Sequence, residues 1–147
     1  MLVRFVRLSA IFLLMFGIAA SEAKTPLSFW LDFVKGRLRG PNADQLFINQ
    51  YKQALLPGQA TAYLEGSVVS VVRTSSTART LLLSMERNGT ADAALLFDGR
   101  AWTLKTEPQK GTIVHFTGVA LDFIKEPFLI TFEPAWIEGF LDLETTH

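Results

Sequence analysis

Tyr63-Leu64-Glu65-Gly66-Ser67-Val68-Val69-Ser70-Val71-Val72 is where the chain changes its period. Upstream, apolar residues recur every three or four positions. From here they alternate with polar ones and β-branched residues crowd in, the pattern of a half-buried strand. The run is long for one strand, and Gly66 inside it predicts a bend or bulge.

Working towards the C-terminus, Arg73 to Arg79 is a polar loop, and Thr80 to Glu86 predicts a second strand with Leu81, Leu83 and Met85 on one face. Asn88-Gly89 predicts a type I′ turn, because both central residues of that turn need positive φ. The same Asn88-Gly89-Thr90 run also matches a glycosylation acceptor. Ala91 to Phe97 predicts a third strand, with Ala93, Leu95 and Phe97 aligned. Residues 100–110 are irregular around Trp102, and Gly111 opens a fourth strand from Thr112 to Ala120. Leu121 to Glu126 predicts a turn. Pro127 then starts a fifth strand, which Pro134 ends, with a short closing segment over Ala135 to Leu143.

Working back towards the N-terminus, Phe29, Trp30, Phe33, Val34 and Leu38 share a face at spacings of three and four and predict a helix from Ser28 to Leu38, behind a short disordered lead over 24–27. Gly40-Pro41 ends it. Asn42 with Gln45 three residues on predicts a capping box for a second helix, whose stripe is Phe47, Tyr51, Ala54 and Leu55, stopped by Leu56-Pro57-Gly58. The fold class is therefore mainly β with N-terminal helices (α+β): a helical pair over 24–60, then a five-stranded antiparallel OB-like β-barrel over 61–147. Closure removes the edges that a small flat sheet would expose.

Met1 to Ala23 has the form of a secretory signal peptide: Arg4 and Arg7 ahead of the apolar run Ala10 to Ala20, with small residues at Ser21 and Ala23 and Lys24 as the expected new N-terminus. The apolar run is shorter than the roughly 20 residues of a membrane span, so no stable span is expected after cleavage, and the expected location is the periplasm or the exterior. The chain has no cysteine, which removes disulfides, thiolate metal sites, thiol nucleophiles and cysteine-linked lipid anchors. Its 14 basic and 14 acidic residues balance, and the loss of Arg4, Arg7 and Glu22 with the leader keeps the remainder near neutral. Nucleic acid held through phosphates needs a basic face, so no nucleic-acid partner is expected.

Four segments taken together carry a resemblance: Gly66-Ser67-Val68-Val69-Ser70, the run from Gly111 to Ala120, the run from Lys125 to Glu133, and Ile137-Glu138-Gly139-Phe140. With these, the span 63–140 resembles the β-rich, OB-like C-terminal module that follows tetratricopeptide repeats in some exported bacterial proteins. The chain departs from that pattern upstream. It has room for one helical pair, where a repeat array needs about three units, and residues 28–56 contain no Trp-x-x-Leu-Gly signature. The resemblance implies no catalytic residues.

Reactive groups are few. Histidine occurs only at His115 and His147. His115, flanked on its strand face by Ile113 and Thr117, is either a general base or metal ligand, or simply a half-exposed strand residue. Neither a His-x-His nor a His-Glu-x-x-His run is present, nor a Gly-x-Ser-x-Gly elbow, nor a phosphate-cradling glycine loop. No metal and no cofactor is expected. In an OB-like barrel the first polar loop and the turn before the last strand flank the usual binding face, which nominates Arg73, Arg79, Asp122 and Lys125 as ligand-binding residues. Trp102 joins them, and Trp136 too lies outside the predicted strands; either ring could stack on a sugar or peptide. The expected function is a non-catalytic binding or assembly module of the bacterial envelope, with a protein or glycan partner. The alternatives are a small envelope hydrolase built on His115 and an OB-type nucleic-acid binder.

Overall fold

The computed structural model describes residues 24–98 and 107–138. The expected leader, Trp102 and the segment from 139 onward lie outside that range. Residues 24–27 are not a disordered lead: Pro26 and Leu27 already lie in a helix, because Thr25 and Ser28 form a reciprocal capping box in which each side-chain oxygen accepts the other's backbone N–H at 3.0 Å. The helix they start, α1 (Pro26–Phe29), continues as wider π-helical turns over Trp30–Lys35 and closes with a 3-10 turn at Arg37–Arg39. A second helix, α2 (Ala43–Leu46), continues as π-helical turns over Phe47–Tyr51.

The capping box expected at Asn42 and Gln45 does not form. Asn42 sits at φ −102°, ψ 22°, not in the extended region that aims an N-cap side chain at the helix amides. The Ala43 N–H bonds to the Gly40 carbonyl instead, and Gln45 donates to Asn49.

Among the described residues six strands follow: β1 (Leu55–Leu56), β2 (Leu64–Arg73), β3 (Arg79–Ser84), β4 (Ala93–Phe97), β5 (Ile113–Ile124) and β6 (Leu129–Glu138). The ring β2-β3-β4-β6-β5 closes on itself through β2–β5 and β5–β6, giving a five-stranded OB-like barrel. The short β1 lies outside the ring, paired with Val119 and Gly118 of β5. Every junction of the ring is antiparallel except β4–β6, where Ala93, Ala94 and Leu95 run parallel to Ile130, Thr131 and Phe132. This corrects the all-antiparallel expectation, and the reason is geometric. A closed ring with an odd number of strands cannot alternate direction at every junction.

The last two strands are longer than expected. β5 continues to Ile124 instead of turning at Leu121, and β6 continues through Pro134 to Glu138. Two register shifts make this possible, one placing Gly118 opposite Pro134 but Thr117 opposite Trp136, the other between Ala120 and Asp122. Such bulges bend and coil long strands around a barrel and give proline a site without a ladder bond.

The bulge in β2 lies between Val68 and Ser70, not at Gly66. Gly66 serves close packing: a Cβ there would stand 2.9 Å from Met85 Sδ and 3.1 Å from Leu83 Cβ. The β3–β4 connection is wider than a type I′ turn, since the ladder ends at Leu83 and Ala93. Positive φ falls on Arg87 and Gly89, while the Asn88 side chain accepts from the Ser84 hydroxyl and the Thr90 N–H.

Alternation fills the barrel with Leu64, Leu81, Leu83, Leu95, Val114 and Phe116, all fully buried. The helical pair packs on the barrel where β6 begins. The Trp30 ring meets Phe128 edge-on at 6.1 Å and lies 6.5 Å from Phe132, and Phe47 stacks on Phe123 at 5.4 Å. Helices and barrel thus share one apolar core. At Gly118 a Cβ would press on Phe132 Cβ at 3.0 Å and on the Glu133 carbonyl at 3.2 Å. Gly118→Val is expected to cost about 1–3 kcal/mol by overpacking, read as a lower urea midpoint with an unchanged slope.

Candidate functional site

On β2 and β5, alternation turns Leu64, Val114 and Phe116 inward and leaves Glu65 and His115 facing out, half-buried. Register then aligns three strands: Glu65 pairs with His115, and His115 with Glu138 of β6. Glu65 Oε1 lies 3.1 Å from His115 Nε2, and Glu138 Oε1 lies 3.5 Å from His115 Nδ1. The other Glu65 oxygen pairs with the Arg87 guanidinium. Tyr63 stacks on the imidazole with centroids 4.1 Å apart and planes 17° from parallel, and Trp136 lies 6.3 Å from Tyr63 with 44 % of its surface exposed.

This arrangement limits the chemistry of His115. Both ring nitrogens face carboxylate oxygens, and an imidazole can donate to both only when it is protonated. A general base in a hydrolytic triad instead contacts a nucleophile on one side and an orienting carboxylate on the other. Among the described residues, His115 meets two carboxylates and a stacked phenol ring. Among the described residues no group of three His, Asp or Glu side chains converges as a metal site. What the face does offer is an exposed indole beside a stacked pair of rings, flanked by acceptor oxygens.

The residues nominated from the sequence fall elsewhere and do not form one patch. Arg73 and Arg79 face each other across β2 and β3 at the end of the β4 ladder marked by Phe97, and both approach Glu107, at 3.1 and 3.9 Å. Lys125 lies in the turn between β5 and β6, near the opposite end of β4, where Ala93 pairs with Ile130. Asp122 is exposed on β5 opposite Thr131, and Trp102 lies outside the described residues. The residues that do converge, Tyr63, Glu65, Arg87, Trp136 and Glu138, were not nominated as a group. Alternation marked His115 as a half-exposed strand residue, but Glu65 was not singled out, and the adjacency of β2, β5 and β6 is a long-range fact.

A second polar cluster is buried at the helical end. Asp92, 3 % exposed, accepts from Trp30 Nε1 at 3.2 Å and from the Met85 N–H at 2.8 Å. Lys35 Nζ lies 3.5 Å from the same carboxylate and also pairs with Glu86. Burial pushes the Asp92 carboxyl above its ordinary value; the Met85 N–H, Lys35 and Trp30 oppose that, and Glu86 adds to it.

No protein-family model and no curated protein matches the chain. No described helix is long and apolar enough to cross a membrane.

Proposed function

We propose that this protein is an exported, non-catalytic binding module of the bacterial envelope that takes a glycan on the outward face of β2, β5 and β6. The observation that carries this reading is the exposed Trp136 indole beside the Tyr63–His115 stack, bordered by the Glu65 and Glu138 carboxylates. An aromatic face packs against the apolar C–H face of a sugar ring, and carboxylates accept from its hydroxyls. The leader pattern of residues 1–23 supports export, and the near-neutral charge together with outward carboxylates disfavours a phosphate-backbone ligand.

One observation favours a second reading as a small envelope hydrolase, namely that His115 lies within hydrogen-bond reach of Glu65. The two readings separate in one experiment. Soluble cell-wall oligosaccharides titrated by calorimetry should bind without being turned over. Trp136→Ala should weaken binding by at least about tenfold, roughly 1.4 kcal/mol, while leaving the fold intact. Robust turnover of a glycan, ester or peptide panel, abolished by His115→Ala, would replace the binding reading with the hydrolase.

A further inference from the structure

The bulge in β6 does more than coil the strand. Phe132 and Ile137 turn to the core, while Glu133, Trp136 and Glu138 turn outward. Glu133 and Trp136 are three residues apart, and strict alternation would send them to opposite faces. The register shift that sets Pro134 opposite Gly118 but Trp136 opposite Thr117 takes up the extra residue and returns the indole to the side of Glu133. The outward row of β6 therefore reads carboxylate, indole, carboxylate. It runs beside Val119 to His115 of β5, a length of roughly 13 Å.

The carboxylates of this face are unequally engaged. Glu65 pairs with Arg87 and approaches His115. Glu138 has His115 at 3.5 Å, and its side chain is 48 % exposed. Glu133 is exposed, and among the described residues no cation pairs with it. Even with the imidazole protonated, these three carboxylates outnumber Arg87 and His115. The exposed Trp136 ring adds the negative potential of an aromatic face. The row attracts positive charge along its length, on the same surface that offers rings for stacking.

We infer that the glycan taken by this face carries free amino groups: a glucosamine-type oligosaccharide with a sugar ring on Trp136 and ammonium groups at Glu133 and Glu138. This rests on the glycan reading and narrows it. An acetamido group in place of the ammonium would forgo both the ion pair and the cation–π contact, and an acidic sugar would be repelled. A lysine-rich peptide has the charge but no sugar ring to lay on the indole.

The test is calorimetry at about pH 6, where amines are charged, with the glucosamine tetramer, its fully N-acetylated counterpart and tetralysine. The glucosamine tetramer is expected to bind at least about tenfold more tightly than either of the others. Its preference over the acetylated form should narrow as salt is raised. Glu133→Gln should narrow that preference by about threefold, and the double variant Glu133→Gln, Glu138→Gln should bring the two tetramers within about twofold of each other. Equal or tighter binding of the acetylated tetramer would overturn the inference while leaving a glycan face. Tighter binding of tetralysine would make the face a peptide site. Failure of the glucosamine tetramer to bind, or a preference that survives both variants, would also overturn it. The broader glycan reading is decided separately, by Trp136-dependent binding of cell-wall oligosaccharides.

Discussion

Trp30→Ala is expected to remove about 3–5 kcal/mol of stability, the usual cost of truncating a fully buried tryptophan, a large share of the about 5–15 kcal/mol that a domain has. The indole is inaccessible to solvent and serves two purposes. Its ring faces fill the space between the helical turns and Phe128 and Phe132, so its removal opens a cavity where helix meets barrel. Its N–H satisfies Asp92, so its removal also withdraws a donor from a buried carboxylate. Urea denaturation should show a large fall in midpoint. Trp30→Phe should recover the packing but not the hydrogen bond, and should lie between wild type and alanine.

The second large effect belongs to Asp92→Ala. That change leaves the Trp30 and Met85 N–H groups without their acceptor, at about 1–3 kcal/mol for each unsatisfied buried group, partly offset by removal of a buried charge. A net loss of about 3 kcal/mol is expected. Because Trp30 and Asp92 share a bond, the double alanine variant should cost less than the two single costs added together.

The pH dependence has a definite sign. The native carboxyl of Asp92 titrates above its ordinary value of 3.8 because burial disfavours the ionised form. The folded state then holds its proton to higher pH than the unfolded state does. Stability from this group is therefore greatest below 3.8 and falls as pH rises through the raised native value. This is the reverse of the common, salt-bridged carboxylate. Urea midpoints followed between about pH 4 and 7 should fall more steeply with rising pH in the wild type than in Asp92→Asn, which has no such proton to lose.

Much of this architecture was legible in the sequence because it is written in local alternation. Leu81 and Leu83, Ala93, Leu95 and Phe97, and Phe116 and Phe132 are buried as their periods required. The failures fall where a local signal met a longer-range demand. Pro134 ends a strand in isolation, but a bulge opposite Thr117 and Gly118 lets β6 pass through it. Asn88-Gly89 favours a two-residue turn, but the ladder stops at Leu83 and Ala93 and leaves a longer connection to span. The parallel junction of β4 with β6 follows from closing an odd ring, which no single segment encodes.

The site divides in the same way. Strand alternation gave His115 a half-exposed place on its strand. The alignment of Glu65 and His115 with Glu138 and Trp136 depended on pairings between segments far apart in sequence. Asp92 falls within the predicted third strand but off the face shared by Ala93, Leu95 and Phe97, and nothing local announces that Trp30 will lie over it.

The parallel junction also constrains the order of assembly. β2, β3 and β4 are neighbours in sequence and can zip as a meander on their own. The seam to β6 must wait until β5 has been laid down on the other side of the ring. Until then β4 presents a free edge that carries Leu96 outward, and an unpaired apolar edge is a template for another chain. The hazard for this protein therefore lies in the interval before the ring closes, when a partly made barrel can recruit its own kind.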